Sequence, residues 1–307
     1  MFQYLIWMII QYICMLLFYS TNSHLLQNPY TYTMDNITHN ATIYTSSAQS
    51  KPKILLIISG SYNLTYDVYI KKLVNDLYKI HPSMIKTYQI IVFEKLDKSS
   101  IIMHKDIAQY IADIHSKIPI EELIIIGFSS GGVVASHIMH ELSEYAFNKK
   151  IITYDTPYQV HDNVSAFGKN LFYRIDIYFF SIVYDVYKRH YNYAELQHKI
   201  DSIVNINEWF NGADKMMKLI CSMHNFTHEE LLQHTQFCFA QSPNTKIINI
   251  YNNKDPFVNR QTHINFMKNN NVLDKQITNI EKNTVGHCSD MSFGHRYLHD
   301  IVENIIS

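Results

Sequence analysis

Glycine is scarce in this chain, with 8 glycines in 307 residues, against about 7 % in average proteins. A chain so poor in glycine is expected to keep it where no Cβ fits. Five of the eight lie in three short segments whose other residues form one candidate site. These five are Gly60, Gly127, Gly131, Gly132 and Gly286.

Excess charge is also missing. Lys and Arg number 26 and Asp and Glu 27, which gives a net charge of −1. Without a basic stripe the chain is not expected to bind nucleic acid. The four cysteines have no metal-ligand spacing, so neither a metal site nor a cofactor is predicted.

The cysteines predict one disulfide. Cys14 would leave with a cleaved signal peptide, and Cys221 and Cys238 are the candidate pair. Such a bridge would brace the surrounding segment by about 3 kcal/mol in the loop-entropy model. Cys288 would then remain a free thiol that serves packing.

Long apolar runs are absent except at the amino terminus. Residues 1–19 carry no charged side chain and are followed by small residues, which predicts a signal peptide over 1–23 or an uncleaved membrane anchor. A core helix is the alternative. The secretory pathway is the expected route, and the chain would be secreted or membrane-anchored. Candidate glycosylation sites are Asn36, Asn40, Asn163 and Asn225.

Residues 24–50 are polar and without a clear period, which predicts a linker. Apolar strand patterns alternate with helical patterns over residues 51–307. This alternation predicts a parallel sheet with crossover helices. Residues 158–244 interrupt the rhythm and predict a mostly helical insertion.

Residues 121–137 carry the strongest motif. Leu123 to Ile126 predict a strand buried on both faces, and Val133 to Leu142 predict a helix. Gly127-Phe128-Ser129-Ser130-Gly131 lies between them. A Gly-x-Ser-x-Gly sequence between strand and helix is typical of a nucleophile elbow. The helix amino terminus favours negative charge near that serine.

From this motif onward the chain resembles the α/β-hydrolase superfamily, in particular its lipases and esterases. The resemblance covers about residues 51–307. It implies a mostly parallel central sheet with flanking helices and a helical cap or lid. The family's order of nucleophile, acid and histidine falls on Ser129, Asp255 and His287. Asp155, which also ends a predicted strand, is the alternative acid.

The chemistry assigns each residue a role. His287 would take the proton of Ser129 as the serine attacks, and Asp255 would orient the imidazole. An oxyanion hole needs backbone N–H groups aimed at the developing charge. Ser130 would supply one N–H group and Ser61 the other, with Tyr62 as second choice.

The insertion bears on the substrate. Its aromatic stripe predicts a lid that covers an acyl groove, so an acyl lipid is the expected substrate. The lid or the amino-terminal segment could contact a membrane. Alternatively the stripe packs as core, and the enzyme is a carboxylesterase or thioesterase acting on small acyl substrates. A non-catalytic binding protein on this fold is the remaining alternative.

Overall fold

The computed structural model describes about half of the chain. The described residues are 26–34, 37–45, 52–58, 60, 73–75, 77–79, 81–93, 103–159, 227–238, 245–255, 258, 260–269, 277–285, 288 and 296–306. No helix within these ranges is long and apolar enough to cross a membrane. The predicted signal or anchor over 1–23 lies outside them.

A single eight-stranded sheet organises these residues, in the order β1-β2-β4-β3-β5-β6-β7-β8. Strands β3 to β8 pair in parallel, whereas β2 runs antiparallel to both β1 and β4. The mostly parallel sheet predicted from the sequence is therefore confirmed. The strands are β1 Leu26–Met34, β2 Ile37–Thr45, β3 Lys53–Ile58, β4 Tyr88–Phe93, β5 Glu122–Phe128, β6 Asn148–Tyr154, β7 Thr245–Lys254 and β8 Ile277–Val285.

Helices cover both faces of the sheet. They are α1 Pro82–Thr87, α2 Met103–Lys117, α3 Ser130–Glu141, α4 His228–Thr235, α5 Arg260–Asn269 and α6 Arg296–Ile306. One core joins α6 to alternate strand residues, and the other joins α2 and α3 to the opposite set. Strands with two buried faces read as continuous apolar runs, which is why β3 and β5 were predictable.

Within the predicted linker over residues 24–50, the described residues form strands β1 and β2 instead. These two strands pair as a hairpin, and β2 pairs with β4 from Ala41–Phe93 to Tyr44–Ile90. Ala41 and Tyr44 are buried. A hairpin added to a sheet edge needs few apolar residues, because its backbone bonds the neighbouring strand. The polar sequence therefore did not predict the β1–β2 hairpin.

The predicted insertion leaves and rejoins the sheet at one place. Gln159 and Gln236 form an antiparallel bridge, and Phe237 N–H donates to the carbonyl of Tyr158 at 2.8 Å. Residues 160–226, which include most of the predicted lid, lie outside the described residues.

Helix α4 packs on α2 and α3 through three imidazole rings. The ring centroid of His104 lies 5.0 Å from that of His137 and 5.4 Å from that of His234. His137 Nε2 lies 2.9 Å from the carbonyl oxygen of Gln236. Burial lowers the pKa of both His137 and His234, so this contact favours neutral rings.

The disulfide predicted at Cys238 is not formed. The Cys238 thiol is free, and the Cys238 backbone N–H donates to Ser136 Oγ at 2.9 Å. Burial, with a further contribution from Glu141, raises the pKa of the Cys238 thiol. The segment is thus fixed to α3 by a backbone hydrogen bond. Cys221 lies outside the described residues.

His263 of α5 packs against Tyr158, the residue before Gln159. Its ring stacks on Tyr158, with centroids 4.1 Å apart and planes 11° from parallel. Burial lowers the pKa of His263 to about 4, although the backbone carbonyl of Thr156 acts in the opposite direction. His263 is therefore neutral in the folded protein at neutral and mildly acidic pH.

This burial predicts a loss of stability in acid. Below about pH 6.5 an unfolded histidine takes up a proton, whereas folded His263 does so only near pH 4. The free energy of unfolding should therefore fall between these values, by at most about 1.4 kcal/mol per pH unit. The melting temperature measured from pH 7.5 to 5 should fall less in His263→Phe, which keeps a stacking ring.

The exposed His228 provides the control. His228→Gln should keep the pH dependence of the wild-type protein. An equal fall of the melting temperature in His263→Phe and wild type would contradict the assignment.

Candidate active site

Ser129 occupies the junction between β5 and α3 in a strained conformation. Its backbone has φ 50° and ψ −130°, a region that costs a non-glycine residue about 1–3 kcal/mol. The Ser129 N–H donates to the carbonyl of Tyr154 at 2.9 Å, and Gly132 N–H donates to the carbonyl of Ser129 at 3.0 Å. Ser129 is half-buried at this tight turn, so part of the residue is exposed to solvent.

Two glycines allow this turn. A Cβ on Gly127 would lie 2.4 Å from the Gly132 Cα, and a Cβ on Gly132 would lie 2.0 Å from Thr156 Oγ1. Real side chains do not tolerate such contacts. The close approach of β5 and α3 therefore depends on Gly127 and Gly132, two of the five glycines at the candidate site.

Ser130 begins α3 directly after the candidate nucleophile. The first N–H groups of a helix point out along its axis and attract negative charge. The position of Ser130 therefore suits the predicted oxyanion role. Ser61, the other predicted donor, and Tyr62 lie outside the described residues.

Asp255 follows β7 and is buried. Its N–H donates to the carbonyl of Asn252 at 3.2 Å. Lys254 of β7 pairs with Val285, the last residue of β8. The chain therefore leaves the two strands side by side, with Asp255 next on one and Gly286-His287 next on the other. His287 itself lies outside the described residues.

Asp155, the alternative acid, directly follows β6, has φ 46° and is fully buried. Its carboxylate accepts hydrogen bonds from Asn252 at the end of β7 and from Cys288 beyond β8. Cys288 is buried as a free thiol, as the sequence predicted. Ser129, Asp155 and Cys288 are the non-glycine residues with positive φ among those described. Backbone strain is thus concentrated at the carboxyl edge of the sheet.

The four candidate glycosylation sites remain predictions. Asn36, Asn163 and Asn225 lie outside the described residues, and Asn40 lies in β2. Among the described residues no group of His, Cys, Asp and Glu could hold a metal ion.

A cavity of about 370 Å³ opens at the opposite edge of the sheet. Its polar groups bond one another, since Glu122 accepts a 2.7 Å hydrogen bond from Tyr88 and lies 3.4 Å from Lys53 Nζ. Lys150 Nζ donates to the last carbonyl groups of α6. These groups lie at the amino edge of the sheet, so the cavity is separate from the elbow.

Comparison with known proteins identifies similar structures but no similar sequences. No family model and no curated protein matches the chain. An esterase from Pyrobaculum calidifontis has a TM-score of 0.58 at 13 % identity, over 95 % of this chain and 87 % of that one. The Francisella virulence factor BioJ has a TM-score of 0.56 at 13 % identity, over 96 % of this chain and 87 % of that one. A Pyrococcus furiosus esterase has a TM-score of 0.53 at 14 % identity, over 91 % of this chain and 89 % of that one. At such identities the likeness shows a shared fold.

The tight contact at the elbow predicts a large effect of one methyl group. Gly127→Ala should lower the free energy of unfolding by about 1–3 kcal/mol, as overpacking does elsewhere, because backbone atoms on the helix cannot move aside easily. Thermal unfolding followed by circular dichroism measures this. Lys117→Ala, at the exposed end of α2, is the matched control and should keep the wild-type melting temperature. A stable Gly127→Ala protein would mean that strand and helix are further apart.

Proposed function

The chain has the α/β-hydrolase fold, and we propose that it is a serine hydrolase that cleaves carboxylic esters through an acyl-enzyme. The observation that carries the proposal is the strained, half-buried Ser129 between β5 and α3. Strain of this kind persists only where surrounding contacts enforce it, and it clusters at functional sites. The esterases among the similar structures give independent support.

In the proposed reaction, Ser129 Oγ attacks the ester carbonyl while His287 takes the hydroxyl proton. The tetrahedral oxyanion is stabilised by N–H groups of Ser130 and Ser61. Collapse of this intermediate breaks the bond to the alcohol, which leaves with the proton from His287. Water then repeats the sequence on the acyl-enzyme and releases the acid.

Asp255 is the proposed partner of His287. It would accept the second imidazole N–H, fix the tautomer and stabilise the imidazolium. The pairing of Lys254 with Val285 supports this choice, because Asp255 and His287 follow adjacent strand ends within one and two residues.

The nucleophile assignment predicts complete loss of one reaction. Ser129→Ala should lower kcat for a p-nitrophenyl ester on the order of 10⁶-fold, as removal of a serine from a triad does. A fluorophosphonate probe should label wild type once, at Ser129, as read by mass spectrometry of the peptide. Ser116→Ala, at the exposed end of α2, should keep wild-type ester hydrolysis and wild-type labelling by the probe. Asp255→Asn should lower kcat by about 10⁴-fold.

Two results would contradict this function. If Ser129→Ala keeps its ester hydrolysis, another residue is the nucleophile. If folded wild-type protein is neither labelled nor active on esters or thioesters, the chain is a binding protein on a hydrolase fold.

We further propose that the ester is an acyl lipid and that residues 158–244 act as a lid. Phe172, Ile175, Phe179, Ile182 and Val183 recur at helical spacing in this segment, which favours an apolar face. The insertion joins the core at Gln159 and Gln236, between the strand after the elbow and the strand that precedes Asp255. This is a suitable position for a segment that covers the site.

The lid predicts a dependence on lipid surfaces. Activity should rise when a long-chain ester passes from monomers to micelles, because the apolar face then has a surface to contact. Phe179→Glu should lower activity on droplets and leave hydrolysis of a short soluble ester unchanged. Equal loss on both substrates, with a lower melting temperature, would identify Phe179 as core. Preference for acetyl or butyryl esters without a rise at micelles would indicate a carboxylesterase.

A further inference from the structure

Asp155 is a buried acid whose own backbone is strained. It follows β6 with φ 46°, none of its surface is exposed, and its N–H donates to the carbonyl of Ile250 at 2.9 Å. Burying a carboxylate is costly unless several donors surround it. The buried Asp155 carboxylate therefore requires hydrogen-bond donors from its neighbours.

The donors come from two neighbouring strand ends. Asp155 Oδ1 accepts a hydrogen bond from the Asn252 backbone N–H at 2.7 Å. Oδ2 accepts one from Asn252 Nδ2 at 2.5 Å and one from the Cys288 backbone N–H at 2.7 Å. Hydrogen bonds to an ionised acceptor are about twice as strong as neutral ones. The carboxylate of Asp155, directly after β6, therefore joins Asn252 of β7 to Cys288 beyond β8.

Both tethered residues are close in sequence to the proposed catalytic pair. Cys288 directly follows His287. Asn252 accepts a hydrogen bond from the N–H of Asp255 at 3.2 Å through its carbonyl. One carboxylate thus holds the backbone next to the proposed base and the turn that carries the proposed acid.

We propose that Asp155 is a positioning residue of the hydrolase, which sets the spacing of His287 and Asp255 through Cys288 and Asn252. This inference rests on the proposed function. It gives Asp155 a role different from that of the triad acid, for which the sequence left it as the alternative. The three N–H groups that donate hydrogen bonds to Asp155 belong to Asn252 and Cys288, which lie close in sequence to the proposed acid and the proposed base.

An amide in place of the carboxylate would reverse part of this arrangement. In Asp155→Asn one oxygen can still accept the Asn252 N–H. The new NH₂ group would then face Asn252 Nδ2 and the Cys288 N–H, so donors would oppose donors. The chain at Cys288 would lose its tether although the side chain keeps its volume.

A second polar network provides a matched control. Thr153 Oγ1 donates to Asn249 Oδ1 at 2.9 Å, and Asn249 Nδ2 donates to Asn279 Oδ1 at 3.1 Å. This ladder joins the same three strands, β6, β7 and β8, within the sheet. Thr153→Val removes one of its hydrogen bonds and leaves the hydrogen bonds of Asp155 in place, so it measures the effect of weakened contacts between these strands.

The experiment compares Asp155→Asn, Thr153→Val and wild type in the full chain. With a short p-nitrophenyl ester, Asp155→Asn should lower kcat on the order of 10²-fold, the cost of a 1 Å displacement of catalytic groups, with KM unchanged. The rate of fluorophosphonate labelling at Ser129 should fall by the same factor. Thr153→Val should lower the melting temperature and keep kcat.

Asn252→Ala is the second variant, because Asp155→Asn could fail to fold. It removes one donor to Asp155 and keeps the Cys288 contact, so kcat should fall by a smaller factor than in Asp155→Asn, again with KM unchanged. Wild-type kcat in folded Asp155→Asn, or in Asn252→Ala if Asp155→Asn does not fold, would overturn the inference.

Two further outcomes are separable. If Asp155→Asn lowers kcat by about 10⁴-fold, as loss of a triad acid does, while Asp255→Asn keeps wild-type activity, Asp155 is the triad acid and the positioning role is wrong. If wild type itself is not labelled at Ser129, the proposed function fails. A labelled wild type together with an unaffected Asp155→Asn overturns only the positioning role.

Discussion

The contact between Gly127 and Gly132 is the constraint on which the site depends. The hypothetical Cβ of Gly127 would lie 2.4 Å from the Gly132 Cα, so β5 and α3 cross at the distance of two bare backbones. This crossing forces Ser129 into positive φ and places the start of α3 directly behind it. The strained serine and the helix amino terminus therefore have one common cause.

The register of the sheet then brings the other groups to the same edge. Parallel pairing of β5, β6, β7 and β8 makes four chain segments leave the sheet in the same direction. Ser129, Asp155 and Asp255 therefore lie at one edge of the sheet because of backbone pairing. The hydrogen bond from Cys288 to Asp155 adds a side-chain contact at the same edge.

Much of this arrangement could be predicted from the sequence, because its signals are local. The apolar run Leu123 to Ile126, followed by Gly-x-Ser-x-Gly and a helical pattern, specifies the elbow through short-range sterics. Mostly parallel pairing followed from the alternation of strand and helix patterns. The predicted roles of Ser129, Asp255, His287, Ser130 and Ser61 remain predictions.

Other features depend on contacts between distant residues. The β1–β2 hairpin is stabilised by its neighbour β4, so its own polar sequence predicted a linker. Helix α5 carries too few apolar residues to stand out. The free Cys238 and its hydrogen bond with Ser136 likewise depend on tertiary packing. The tether at Asp155 needs the pairing of three strands, which no single stretch of sequence contains.

The order of the strands has a consequence for synthesis. Domains are made from the amino terminus onward at several residues per second, so β5, β6 and the elbow leave the ribosome well before Cys288. Until that late residue arrives, the carboxylate of Asp155 lacks one of its donors and the site lacks its proposed base. Until His287 has been synthesised, the proposed nucleophile Ser129 lacks the base that would activate it.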